Sequence, residues 1–214
     1  MKTHHHPTTL VHLINQVGLL GICVALVVAF YYQLVRHELP CPICLLQRAG
    51  LIIAGFGFLF NLCFGLRGIH YGMVIIGSIL TGVMASRQIC LHIMPGDTGY
   101  GSAFFGLHFY TWTLITSILI IIAVAVVLAI SSMNVAFRSL NINPVLFSIV
   151  GWVFLLLITA NLISTVLECG GGECAANPVT YKLLSKQDIA FKLLSKQDIA
   201  FLKTGLLTRA VLRL

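Results

Sequence analysis

Charge is what this sequence lacks. Only 9% of its 214 residues are Asp, Glu, Lys or Arg, whereas a soluble domain carries about a quarter. The deficit excludes an ordinary soluble globular protein, and with 58% hydrophobic residues it indicates an integral membrane protein. No polar stretch is long enough to build a separate soluble core of ordinary size. Acidic residues are scarcest, six in all. The resulting net charge of +7 would suit a nucleic-acid partner if it were spread over a face, but it is not. Residues 1–180 hold six Lys or Arg against four Asp or Glu, and residues 181–214 hold seven against two. A basic tail beside a bilayer reads as a membrane-surface feature, so lipid is expected as a partner and nucleic acid is not.

The apolar runs predict five spans. The first, Val11 to Val35, has no charge and is long enough for a hydrocarbon core of about 30 Å at about 1.5 Å per residue. It lacks the small-x-small site that would follow a cleaved signal peptide, and Tyr31-Tyr32 suits an interfacial aromatic belt. Further spans are expected at Leu45 to Phe64, Tyr71 to Leu91, His108 to Ile130 and Pro144 to Leu167. The expected fold is all-α: a polytopic membrane helical bundle with a four-helix core and a fifth transmembrane helix. Around it lie a polar leader over residues 1–10 with His4-His5-His6, a cysteine loop over 168–181, and a basic amphipathic tail over 182–214. Within the tail, KLLSKQDIAF at 182–191 recurs unchanged at 192–201 and reads as a tandem duplication.

Seven cysteines remain to be placed. Cys23, Cys63 and Cys90 lie within or at the ends of apolar segments, where a small buried hydrophobe is the expected role. Cys41/Cys44 and Cys169/Cys174 are close pairs, redox or metal candidates. Five spans put the loops after the first, third and fifth on one side, so both pairs face one compartment. Positive charge in the N-terminus and beside Arg67 and Arg138, with Glu38, Asp97, Glu168 and Glu173 on the other side, makes the cysteine side extracytoplasmic. An oxidising compartment also suits vicinal cysteines.

Cys44 falls in the first turn of the second span, where unpaired N–H groups and the helix dipole favour a thiolate. Arg48, four residues on, shares its helix face. Gln88 and His92, closing the third span, could hydrogen-bond a carbonyl ligand or cap the helix. His108 and Trp112 serve as belt residues or as a cavity wall.

Cys41-x-x-Cys44-x-x-x-Arg48 after a first span resembles the disulfide-bond formation protein B (DsbB) family, bacterial inner-membrane enzymes. Tyr31-Tyr32-Gln33-Leu34, Leu39 to Arg48, Arg87-Gln88 and Gly106 to Trp112 are also similar to it, so that the resemblance extends over about residues 10–130. The second cysteine pair departs from the best-known members, which carry it in the second outer loop. Here it follows the fifth span, and Asn177-Pro178-Val179-Thr180-Tyr181 resembles a five-span branch. The resemblance implies Cys41, Cys44, Cys169 and Cys174 as catalytic residues and Arg48 at a site for a quinone, ubiquinone or menaquinone; Gln88 and His92, by their place at the end of the third span, are the further candidates to hydrogen-bond its carbonyl. It also implies a periplasmic thioredoxin-fold (DsbA-like) thiol oxidase as partner. Charge and span parity put the N-terminus in the cytoplasm and the C-terminus in the periplasm, and no metal is expected. A different reading, a membrane protein handling metal through its four paired cysteines and His92, stays open on the residues alone.

Overall fold

A computed structural model describes the backbone of residues 6–131 and 144–184, and side chains over 11–129 and 148–184. Five helices dominate: α1 (His6–Val35), α2 (Pro42–Phe64), α3 (Gly68–Leu91), α4 (Phe109–Ser131) and α5 (Pro144–Cys169). Each contains a segment long and apolar enough to cross a membrane, and the protein is an all-α polytopic membrane bundle. Helix α1 already begins at His6, inside the stretch read as a leader. The second span starts at Pro42 rather than Leu45, because Cys41 caps it: Cys41 Sγ accepts from Cys44 N at 3.1 Å, and Pro42 takes a first-turn position where its missing N–H costs nothing. At the far end α5 runs through Cys169, so Glu168 and Cys169 are helical rather than part of the loop expected from 168. A hairpin of β1 (Ala103–Phe104) and β2 (Leu107–His108), not foreseen in the sequence, occupies the outer loop and delays the fourth span to Phe109. The duplicated decapeptide beyond Leu184 and the Arg138 connection lie outside the described residues.

Helices α2 and α3 pack most closely. A Cβ on Gly77 would sit 2.6 Å from Gly50 O, so only glycine lets the two backbones approach as they do. Thr81 Oγ1 reinforces the contact, donating to Gly77 O at 2.9 Å and within 3.3 Å of Gln47 O. Helix α5 docks by inserting the fully buried Phe154 against Gly55 of α2 and the Phe56 ring. At the end of the bundle remote from the cysteines, Asn61 Nδ2 donates to Asn15 Oδ1 at 2.9 Å and Asn15 Nδ2 to Tyr71 OH at 2.8 Å. His70 Nδ1 lies 3.2 Å from Asn61 Oδ1. These polar side chains join α1, α2 and α3 where hydrocarbon would otherwise leave them unpaired.

Candidate functional site

The cysteine end of the bundle is assembled from every helix. Between α1 and α2 the chain turns through His37, which adopts φ 56°, and is clamped by the outer loop. Tyr100 OH donates to Leu39 O at 2.6 Å, and Glu38 accepts from Ser102 N at 3.0 Å and from the Ser102 hydroxyl. Burial, followed by the nearby charges of Glu168 and Glu38, pushes the Tyr100 phenol up from its ordinary value, so it stays a hydrogen-bond donor. Cys41 and Cys44 form a disulfide at the start of α2. Cys41 is buried and Cys44 half-buried.

Three side chains surround this disulfide. Gln88 reaches across from α3, its Nε2 3.4 Å from Cys41 Sγ and 3.5 Å from Cys44 Sγ. Gln47 orients that amide, donating to Gln88 Oε1 at 2.7 Å. Arg48 points to the other side, donating to Gln33 Oε1 at 2.7 Å, to Ala29 O at 3.3 Å and to Asn161 Oδ1 at 3.5 Å. Its guanidinium also lies 5.6 Å from the centre of the Phe30 ring, within reach of a cation–π contact. Arg48 therefore does not extend to headgroups. It is held inside by neutral acceptors that leave its charge uncancelled by a hydrogen-bonded carboxylate.

Cys44, Gln47, Arg48 and Gln88 all line the polar end of an apolar cavity of about 830 Å³. The cavity follows α1 from Tyr32 to Leu13 and is bordered on the opposite side by α4. Its size and lining are those of a small-molecule site: mostly apolar, with a few convergent polar groups. A lipid-soluble molecule could be held in such a space, with the Arg48 guanidinium presented at its polar end. Trp112 lines the cavity while its Nε1 donates to Phe104 O at 2.9 Å, so the wall position, rather than only a belt position, is realised. His92 is placed differently. It caps α3, its Nδ1 lies 3.0 Å from Asp97 Oδ2, and it stacks on Tyr110, itself stacked on His108. Neither His92 nor His108 is among the residues lining the cavity. The Gly99 N–H and His92 hold the Asp97 carboxyl below its ordinary range.

Cys169 and Cys174 form the second disulfide, with the buried Cys169 ending α5 and Cys174 half-buried. The residues after it fold back: Leu183 N donates to Leu167 O at 3.0 Å, and the Tyr181 hydroxyl accepts from Gln33 Nε2 at 3.0 Å. Gln33 also bonds Ser164 of α5. Both disulfides thus lie at one end of the bundle, as the span count required. Cys23, Cys63 and Cys90 are free, but only Cys23 is the buried side chain expected; Cys63 and Cys90, at the ends of α2 and α3, are exposed on the bundle surface. Among the described residues no group of three or more His, Cys, Asp and Glu side chains gathers as metal ligands.

Gln33, Gln47 and Asn161 were not singled out from the sequence. The available signal was their chemistry: uncharged but polar side chains inside apolar spans have partners, and here the partner is the buried arginine or the amide at the disulfide.

The family model described as disulfide bond formation protein DsbB matches residues 12–99, a shorter stretch than the 10–130 of the resemblance. Disulfide bond formation protein B of Marinobacter nauticus is 38% identical over 81 residues, 36% of this chain and 48% of that protein. Disulfide bond formation protein B 1 of Pseudomonas savastanoi is 40% identical over 85 residues, 37% of this chain and 50% of that protein. The chain spans about half the length of the curated relatives it matches. No solved structure matches it. The matched stretch carries α1 to α3, Cys41, Cys44, Arg48 and Gln88, while α4, α5 and the second disulfide lie beyond it. Over that matched core the chain is similar to the DsbB family.

Proposed function

We propose that this chain is a membrane thiol–disulfide oxidoreductase that reoxidises a periplasmic thioredoxin-fold dithiol oxidase and passes the electrons to a membrane quinone. The observation that carries the reading is the Cys41–Cys44 disulfide at the polar end of an 830 Å³ apolar cavity that also presents Arg48. It would sit in a bacterial inner membrane with both cysteine pairs on the periplasmic side.

The relay is a balanced exchange. A thiolate of the reduced partner attacks the Cys169–Cys174 disulfide, and the partner's second thiol resolves the mixed disulfide, leaving the partner oxidised and Cys169 and Cys174 reduced. One of these attacks Cys41–Cys44, and its neighbour closes the tail disulfide again. Cys44 leaves as a thiolate favoured by the α2 N-terminus. Gln88 then holds the sulfurs in place, Gln47 holds Gln88, and Arg48 fixes the orientation of a ligand carbonyl and favours negative charge on its oxygen. A bound quinone would supply the two-electron sink, so that two electrons and two protons could leave Cys41 and Cys44 as their disulfide reforms. The apolar length of the cavity suits an isoprenoid tail.

The test uses purified full-length protein with a reduced thioredoxin-fold dithiol protein and a soluble quinone analogue, following quinone absorbance. Turnover is expected in the wild type and not in Cys44→Ala. Full activity of that variant, or none in the wild type, overturns the reading. The metal-handling alternative is less well supported, since the four cysteines are paired as disulfides and lack free thiolates.

A further inference from the structure

One charged group near the cavity has no part in the relay. Glu168, the penultimate residue of α5, is 5% exposed, and neither carboxylate oxygen has a hydrogen-bond partner among the described residues. The chain holds it there. Lys182 N donates to Glu168 O at 3.4 Å and Leu183 N to Leu167 O at 3.0 Å, so the returning tail closes over the helix end. A carboxyl buried without hydrogen bonds is costly unless an opposite charge compensates it. One and two turns before Glu168 on the same face of α5, Ser164 bonds Gln33 and Asn161 accepts from Arg48. The carboxyl thus shares a helix face with the network that holds the Arg48 guanidinium, without a hydrogen bond to it.

Arg48 does not need Glu168 in order to point correctly. Gln33 Oε1, Ala29 O and Asn161 Oδ1 already aim the guanidinium. What Glu168 adds is charge, and in a poorly screened interior charge acts over several ångströms. We infer that Glu168 is a positioning residue that sets, through Arg48, how strongly the polar end of the cavity attracts a negatively charged ligand oxygen. The inference rests on the quinone-site reading and deepens it. With the carboxylate present, the cavity accepts a neutral ligand without binding an anionic one so tightly that it stays. The residue lies beyond the 12–99 stretch shared with the family model, in the helix that carries the second disulfide.

The experiment measures binding rather than turnover. Full-length protein in lipid nanodiscs is titrated by equilibrium dialysis with neutral 1,4-naphthoquinone and with 2-hydroxy-1,4-naphthoquinone, an anion at neutral pH. In Glu168→Gln the anionic probe should bind about three- to tenfold more tightly, as expected for removing one nearby charge, with the neutral probe within about twofold. Glu168→Asp should keep the wild-type ratio of the two affinities, and Arg48→Gln added to Glu168→Gln should erase the gain. Equal weakening of both probes in Glu168→Gln would mean a merely structural role and overturn the inference, as would no change in either. Failure of the wild type to bind either probe would overturn the quinone site itself, a result distinct from both.

Discussion

Arg48 on α2 donates to Gln33 Oε1 on α1 at 2.7 Å. The same Gln33 amide reaches Ser164 on α5 and the Tyr181 hydroxyl in the returning tail. One side chain therefore links the charge of the cavity to the segment following the second disulfide. Replacing Gln33 with Leu removes an acceptor from a buried cation and frees the tail from α1. Quinone-analogue KM should rise about tenfold, and amide hydrogen exchange over residues 179–184 should accelerate, with α2 protection retained.

Arg48 itself should separate the two half-reactions. In Arg48→Ala the apparent KM for the quinone analogue should rise by at least about tenfold, consistent with loss of a charge-assisted interaction. Thiol exchange between the partner and Cys169/Cys174, followed by trapping the mixed disulfide, should proceed at nearly the wild-type rate. An unchanged quinone dependence would remove Arg48 from the site.

Gln88 is the side chain nearest the Cys41–Cys44 sulfurs from another helix, and its loss also leaves Gln47 without its partner. Gln88→Leu should slow quinone reduction in single-turnover measurements about tenfold while leaving reduction of the tail disulfide intact. His92→Ala should have a much smaller effect, because the His92 ring faces Asp97 and Tyr110 instead of the cavity.

The outer loop carries a predictable pH response. Because the folded-state Asp97 carboxyl is held below its ordinary value, first by the Gly99 N–H and then by His92, its contribution is fully present above the ordinary carboxylate pKa of about 3.9. It is lost as the pH falls through that value and then through the lower folded one. Hydrogen-exchange protection factors over residues 92–102, corrected for the intrinsic pH dependence of exchange, should therefore fall on acidification below about pH 4 in the wild type. In Asp97→Asn they should already be lower at neutral pH and should not fall further on that acidification.

At the opposite end of the bundle, Asn61 is bonded to Asn15 and faces His70. Asn61→Leu leaves their polar groups short of partners and should lower stability by about 1–2 kcal/mol. Denaturant unfolding in mixed micelles would measure the loss. The quinone-analogue KM should stay within about twofold of wild type, which separates this framework cluster from the site.

Much of the architecture could be read from the chain because a membrane imposes its own length rule. Uninterrupted apolar runs had to be spans, and an odd number of spans brought Cys41/Cys44 and Cys169/Cys174 to one side. Helical periodicity alone puts Arg48 one turn below Cys44, and it was the resemblance carried by Cys41-x-x-Cys44-x-x-x-Arg48 that pointed to disulfide exchange. Sequence spacing reaches no further than one helix, however. That Gln88 rather than His92 would meet the sulfurs depends on how α3 is rotated against α2, which the Gly50 and Gly77 contact decides. Gln33, Asn161 and Glu168 lie 15, 113 and 120 positions from Arg48 in the chain, and no local pattern joins them. Composition and periodicity determined the membrane class, the spans and the redox motif, because each follows from local hydrophobicity and helix pitch. Only the packing of α1 and α5 around α2 decided what surrounds the arginine, because a buried charge takes its partners from whatever helices the bundle brings beside it.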